Sequence, residues 1–254
     1  MSHRISERQA PPGEAHGARL LSLNVLNRNF GRIVASLIVA PLAGALATLA
    51  AQAQDAGSIT VLDRHTVAFE RADDDGRAPS GELRLTLAYL DGSGWAADTI
   101  VAAIAQSARI LRQCGVSLRQ TELVRISAPD RYRHFQTQLS RELARTLPLP
   151  KPTIYFVAGT RQRPAFDAEA IGRANSRTRL ELADTVWVTY GTRDLAIAIA
   201  HELAHVLMDS GEHSDDPRNL MRADTTPERT QLTDAQCARL RGTAIANGLL
   251  QPLR

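Results

Sequence analysis

The 254-residue chain is short of aromatic residues, with five Phe, four Tyr and two Trp making up 4% of it. So thin a supply excludes the aromatic-rich platforms on which nucleic-acid bases stack. Lysine is nearly absent: Lys151 is the only one, and the other 29 of the 30 basic residues are arginine. That bias accompanies abundant alanine, fits genome composition and carries no functional meaning. Net charge is also small, at +3, and it sits in the leader. Residues 1–53 hold five arginines, at 4, 8, 19, 28 and 32, against Glu7 and Glu14. The remaining 25 basic and 25 acidic residues cancel, so the rest of the chain has no electrostatic reason to seek nucleic acid. A hydrophobic share of 44% and a charged share of 22% suit a packed core and argue against a largely disordered chain. The length allows one domain or at most two small ones. No internal repeat is present, and no low-complexity block beyond the leader.

Residues 33–54, IVASLIVAPLAGALATLAAQAQ, carry no charge and follow Arg28 and Arg32. They end in Ala51-Gln52-Ala53, an A-x-A site for a signal peptidase. The expectation is an exported, periplasmic or secreted protein. An uncleaved membrane anchor is the alternative, because about 20 apolar residues can span a bilayer. Residues 54–80 read as a polar, mobile lead-in, and 81–254 as one domain. Cys114 and Cys237 belong to no CxxC pair. In an oxidising compartment one disulfide is the simplest expectation, with two buried free thiols as the alternative.

Alternating Leu83, Leu85 and Leu87 predict a strand over 82–90. Apolar residues at 100, 101, 104, 108 and 111 predict a helix over 99–113, ended by Gly115. A second strand is expected over 116–126 and a second helix over 131–147, stopped by Pro148, Pro150 and Pro152. TIYFVA (153–158) and TVWVTY (185–190) read as strands, with a long polar loop over 159–179 between them. Residues 194–208 are apolar on nearly every side, which implies a buried helix, and 233–246 form a closing helix. This order is that of an α+β or α/β sandwich.

Inside the apolar helix stands His201-Glu202-Leu203-Ala204-His205, an H-E-x-x-H pattern. Residues i and i+4 share one face of a helix, so the two imidazoles can grip one metal ion. Glu202 can act as general base on a metal-activated water and return the proton to the leaving group. Zinc suits two imidazoles, a third protein ligand and one open position. His213 is the candidate third ligand, since three of the seven histidines fall within this stretch and Gly211 can turn the chain back. Glu212, Asp209, Asp215 and Glu228 are rivals. A buried helix carrying these groups must satisfy them somehow, and ordinary core histidines with structural hydrogen bonds are the bland reading.

The 21-residue stretch HELAHVLMDSGEHSDDPRNLM resembles the active-site segment of metzincin-type, matrixin-like zinc metalloproteases. In that pattern, H-E-x-x-H-x-x-G-x-x-H precedes a methionine turn beneath the metal. His201, Glu202 and His205 match it directly, and Met221 in Asn219-Leu220-Met221 matches the turn. The pattern's glycine position is Met208 here and its third histidine position is Gly211, so His213 comes two residues late. The resemblance implies an α+β zincin fold: a twisted mixed sheet with an active-site helix and a C-terminal helix. It implies Zn2+, a peptide or protein substrate, and an edge strand beside the cleft, for which Gly172–Arg177 and its flanks are candidates. No tyrosine follows Met221, and Tyr190 is read as strand-end packing or, less simply, as an oxyanion donor. Both cysteines lie inside the domain, so latency by thiolate ligation is not expected. Two alternatives stand beside this reading: a gluzincin-like peptidase with Glu228 as third ligand, and a non-catalytic, zinc-stabilised binding domain of the envelope.

Overall fold

The computed structural model describes residues 57–69, 78–162 and 166–253. The expected signal or anchor segment and its cleavage site lie outside these residues. Six strands form the main sheet in the order β1 (Thr60–Ala68), β5 (Gln120–Ser127), β3 (Leu85–Leu90), β7 (Thr153–Val157), β10 (Thr185–Thr189), β9 (Ala168–Ile171). The central four are parallel, and β1 and β9 are antiparallel edges. Two small sheets complete the strands: β11 (Leu250–Pro252) with β2 (Gly81–Leu83) and β4 (Val116–Ser117), and β6 (His134–Phe135) with β8 (Gly159–Thr160). Four α-helices are present among the described residues: α1 (Ala97–Leu111), α2 (Thr137–Thr146), α3 (Leu195–Met208) and α4 (Asp234–Ala246). None of them is long and apolar enough to cross a membrane.

The apolar runs TIYFV and TVWVT are continuous because both faces of the sheet are covered. Side chains alternate along a strand, so Ile154, Phe156, Val186 and Val188 face one core with α1, α3 and α4. Tyr155, Val157 and Trp187 face the other core, with α2. There the Tyr155 and Trp187 rings stack at 4.2 Å. This is the mixed α+β fold expected, with a buried helix carrying the H-E-x-x-H residues and a C-terminal helix. Within α3 only Leu195 and Glu202 are not fully buried. Thr233 and Gln236 form a capping box at the start of α4.

Three local expectations change. Residues 60–68, expected within the lead-in, form strand β1. The strand is exposed at almost every position, so it carries no apolar alternation to read, and main-chain pairing with β5 and the Arg64–Glu122 ion pair at 3.1 Å hold it. The helix expected over 131–147 is only α2, because Phe135 is pulled into the core against Trp187 and pairs as β6 with β8. The edge strand narrows to the flank before Gly172, where β9 lies inside the expected 159–179 loop, while Gly172–Arg177 itself turns in a 3-10 helix over Ala174–Ser176.

Cys114 and Cys237 are bonded, with Cα atoms 4.7 Å apart and a sequence separation of 123. The bond joins the end of α1 to the first turn of α4, and no free cysteine is present. Replacing both by serine is expected to lower the unfolding free energy by about 2–5 kcal/mol, measured by denaturant titration.

Candidate metal centre

Helix α3 presents His201 and His205 one turn apart on one face, as i and i+4 require. The helix stops at Asp209, which adopts a left-handed conformation (φ 47°) and donates its N–H to the carbonyls of His205 and Val206. The chain therefore reverses two residues earlier than expected, at Asp209 rather than at Gly211. This reversal brings His213 back over the helix. Its ring lies 5.4 Å from that of His201 and 4.9 Å from that of His205. One nitrogen from each of the three imidazoles falls within 4.8 Å of the others.

The partners of the two helix histidines define their tautomers. His201 Nδ1 lies 2.7 Å from the Leu220 carbonyl oxygen, and His205 Nδ1 lies 2.6 Å from that of Ser210. A carbonyl only accepts, so both Nδ1 atoms donate and both Nε2 atoms keep a lone pair. Those two Nε2 atoms face each other at 2.9 Å. Two lone pairs at that distance repel unless a proton or a cation lies between them. A proton is disfavoured there: burial depresses both imidazoles, and burial together with the neighbouring His201 pushes His205 down to about 4. The donor set fits a cation that prefers neutral imidazole, as zinc does.

Glu202 extends from the same helix into a pocket of about 240 Å3 shared with the three histidines, Glu169 and Ala170. Burial pushes its carboxyl up to about 8, opposed by a hydrogen bond from the Ala170 backbone N–H and reinforced by nearby Glu169. Glu169 was not singled out in the sequence, since nothing near it marks a site. Burial raises its carboxyl as well, and its Oε2 has no hydrogen-bond partner.

The rival ligands are engaged elsewhere. Asp209 accepts from the Ala174 N–H at 2.9 Å, which pins the loop that carries the pocket residues Gly172 and Asn175. Glu212 pairs with Arg239, and Asp215 stands outside the histidine group. Glu228 accepts from Thr226 Oγ1 at 2.8 Å and is outside the histidine group, so the alternative with Glu228 as third ligand is set aside. Among the described residues no fourth side chain joins the three histidines. Tyr190 stays at the far end of β10, 60% exposed and edge-on to Trp95, and takes no part in the pocket. Met221 is buried beside the centre, in the turn that supplies the Leu220 carbonyl. The arginines at 173 and 179 hold the overhanging loop, Arg173 on Asp184 at 3.0 Å and Arg179 on the Asn175 carbonyl.

No family model matches the chain, and no curated protein matches it. Solved structures do. The fold is similar to that of metalloproteinase-II from Bacteroides fragilis, with 17% identity, a TM-score of 0.48, and coverage of 76% of this chain and 60% of that one. It is also similar to archaemetzincin from Methanopyrus kandleri, with 12% identity, a TM-score of 0.43, and coverage of 65% of this chain and 96% of that one. The chain thus spans about 60% of the length of the Bacteroides protein.

Proposed function

We propose that this chain is an exported zinc metallopeptidase that cleaves peptide bonds within protein or peptide substrates. The observation that carries the reading is the pair of facing Nε2 lone pairs, with His213 closing over them. His201, His205 and His213 hold the ion, and the absence of a fourth ligand among the described residues leaves one side open to substrate. A bound zinc ion would supply Lewis acidity, polarising the scissile carbonyl and bringing water near it to a pKa of about 7.

The chain's own residues do the rest. Glu202, held by the Ala170 N–H, takes a proton from the attacking water and delivers it to the departing amine. Among the described residues strand β9 pairs only with β10, which leaves its other edge beside the pocket for an extended substrate to add as a further strand. Met221 is buried, and the turn it belongs to supplies the Leu220 carbonyl that orients His201. The disulfide fits an oxidising compartment outside the cytosol.

The test is metal content of the domain from residue 54 onward, wild type against His213→Ala. Wild type is expected to carry one zinc per chain and the variant to lose most of it. Full zinc retention by the variant would move the third ligand elsewhere, and no zinc in wild type after supplementation would remove the enzymatic reading.

A further inference from the structure

The carbonyl that orients His201 belongs to a turn with an unusual support. Asn219–Arg222 closes through the Arg222 N–H to the Asn219 carbonyl at 3.2 Å. Leu220 donates its N–H to the Gln231 carbonyl at 2.7 Å. The Asn219 side chain, 1% exposed, shapes the turn from inside: its Oδ1 accepts the Met221 N–H at 2.9 Å. That amide is in turn gripped from both ends by one residue of α4. Asn219 Nδ2 donates to Gln236 Oε1 at 2.9 Å, and Gln236 Nε2 donates to Asn219 Oδ1 at 3.1 Å. Gln236 is fixed by its own capping box with Thr233, and its neighbour Cys237 is bonded to Cys114.

We propose that the Asn219–Gln236 amide pair is a positioning device for the metal centre, transmitting the rigidity of the disulfide-anchored helix α4 through the Leu220 carbonyl to His201. The proposal rests on the reading of the three histidines as metal ligands. Its physical content is that an imidazole ligand is only as well aimed as the acceptor on its other nitrogen. The Leu220 acceptor sits between two residues, Asn219 and Met221, that the Asn219 amide holds. If Gln236 is lost, the buried Asn219 amide loses two partners and the turn is free to rotate the carbonyl away. Neither residue touches the pocket, so neither is a catalytic residue.

The experiment measures zinc dissociation constants by chelator competition for wild type, Asn219→Ala, Gln236→Ala and the double variant. The visible absorption of the Co2+-loaded forms reports ligand geometry, and the thermal midpoints of the metal-free forms report general stability. Each single variant is expected to bind zinc about 10–100-fold more weakly, with a changed cobalt spectrum. The double variant should lose no more than the weaker single, because the two residues act as one unit. Gln236→Glu keeps the capping box and so guards against simple misfolding, yet it removes the donor to Asn219 Oδ1; it too should bind at least tenfold more weakly. Dissociation constants within twofold of wild type for Asn219→Ala and Gln236→Glu, however the thermal midpoints move, would overturn the proposal. So would losses that simply multiply in the double variant. A wild type that takes up no zinc would instead overturn the underlying reading of the histidines.

Discussion

Glu202→Gln is expected to keep its zinc and lose about two to four orders of magnitude in peptidase turnover, the span that a positioned general acid–base group contributes. The glutamine is isosteric and still accepts the Ala170 N–H, so the pocket wall and the histidine group stay in place. What disappears is the carboxylate that neighbours the first histidine on the same helix and is proposed as the base. Glu169 shares the pocket but comes from the edge strand, not from the helix that carries the ligands. Initial rates on an unfolded protein substrate, with zinc per chain measured on the same sample, decide the matter. Comparable turnover in the variant would end the assignment of Glu202 as base, and loss of zinc together with turnover would make it a structural group.

Stripping the metal is expected to lower the thermal midpoint by about 10 °C, more at pH 8 than at pH 5. The size follows from mass action: zinc at a thousand times its dissociation constant stabilises by about 4 kcal/mol, and each kcal/mol shifts a domain of this size by about 2–4 °C. The sign with pH follows from the two perturbed groups. In the metal-free protein His205 is depressed to about 4, below its unfolded value near 6.5. The unfolded chain then binds more protons, and the metal-free fold loses stability as pH falls from about 6.5 through 4. Glu202 is raised to about 8, above its unfolded value near 4.5. Its protonated form suits the metal-free fold, and that contribution is lost as pH rises from about 4.5 through 8. A divalent cation beside the carboxylate removes the second loss. It leaves the first in place, because a coordinated imidazole takes no proton. The gap between loaded and stripped protein therefore widens as pH rises toward 8 and flattens above it. Scanning calorimetry with and without a chelator at several pH values tests this, and a gap that narrows toward pH 8 would contradict it. Glu202→Gln should remove most of the alkaline loss from the stripped protein.

Much of this molecule could be read along the chain. The helix over 195–208 was plain because twelve of its residues are buried, which leaves an unbroken apolar run around H-E-x-x-H. The strands TIYFV and TVWVT were plain for the same reason, since both faces are covered. Strand β1 was hidden because its support is main-chain pairing, which leaves no mark on side-chain type. The bounds of the edge strand β9 are not legible along the chain, because Ala168–Ile171 is short and mostly half buried. For the bend after α3 the sequence points to Gly211, since glycine tolerates the left-handed region best, whereas Asp209 adopts it.

By itself, then, the sequence determined the chemical types present: two imidazoles one helical turn apart, a carboxylate beside them, a third histidine nearby and one possible disulfide. Local periodicity and spacing suffice for that, because helix geometry places i and i+4 together without help from elsewhere. Tertiary structure alone decided which nitrogens are free. The acceptors that keep the proton on Nδ1 are the carbonyls of Leu220 and Ser210, and the first of these is 19 residues from its histidine. Every residue carries a carbonyl, so nothing in side-chain identity could announce these two. It also decided that His213, and not Glu228, joins the histidine group, and that an amide on the last helix bonds the Asn219 side chain in the turn behind His201. Those choices depend on how the chain after α3 folds back over the sheet, a packing outcome that no short stretch of residues encodes.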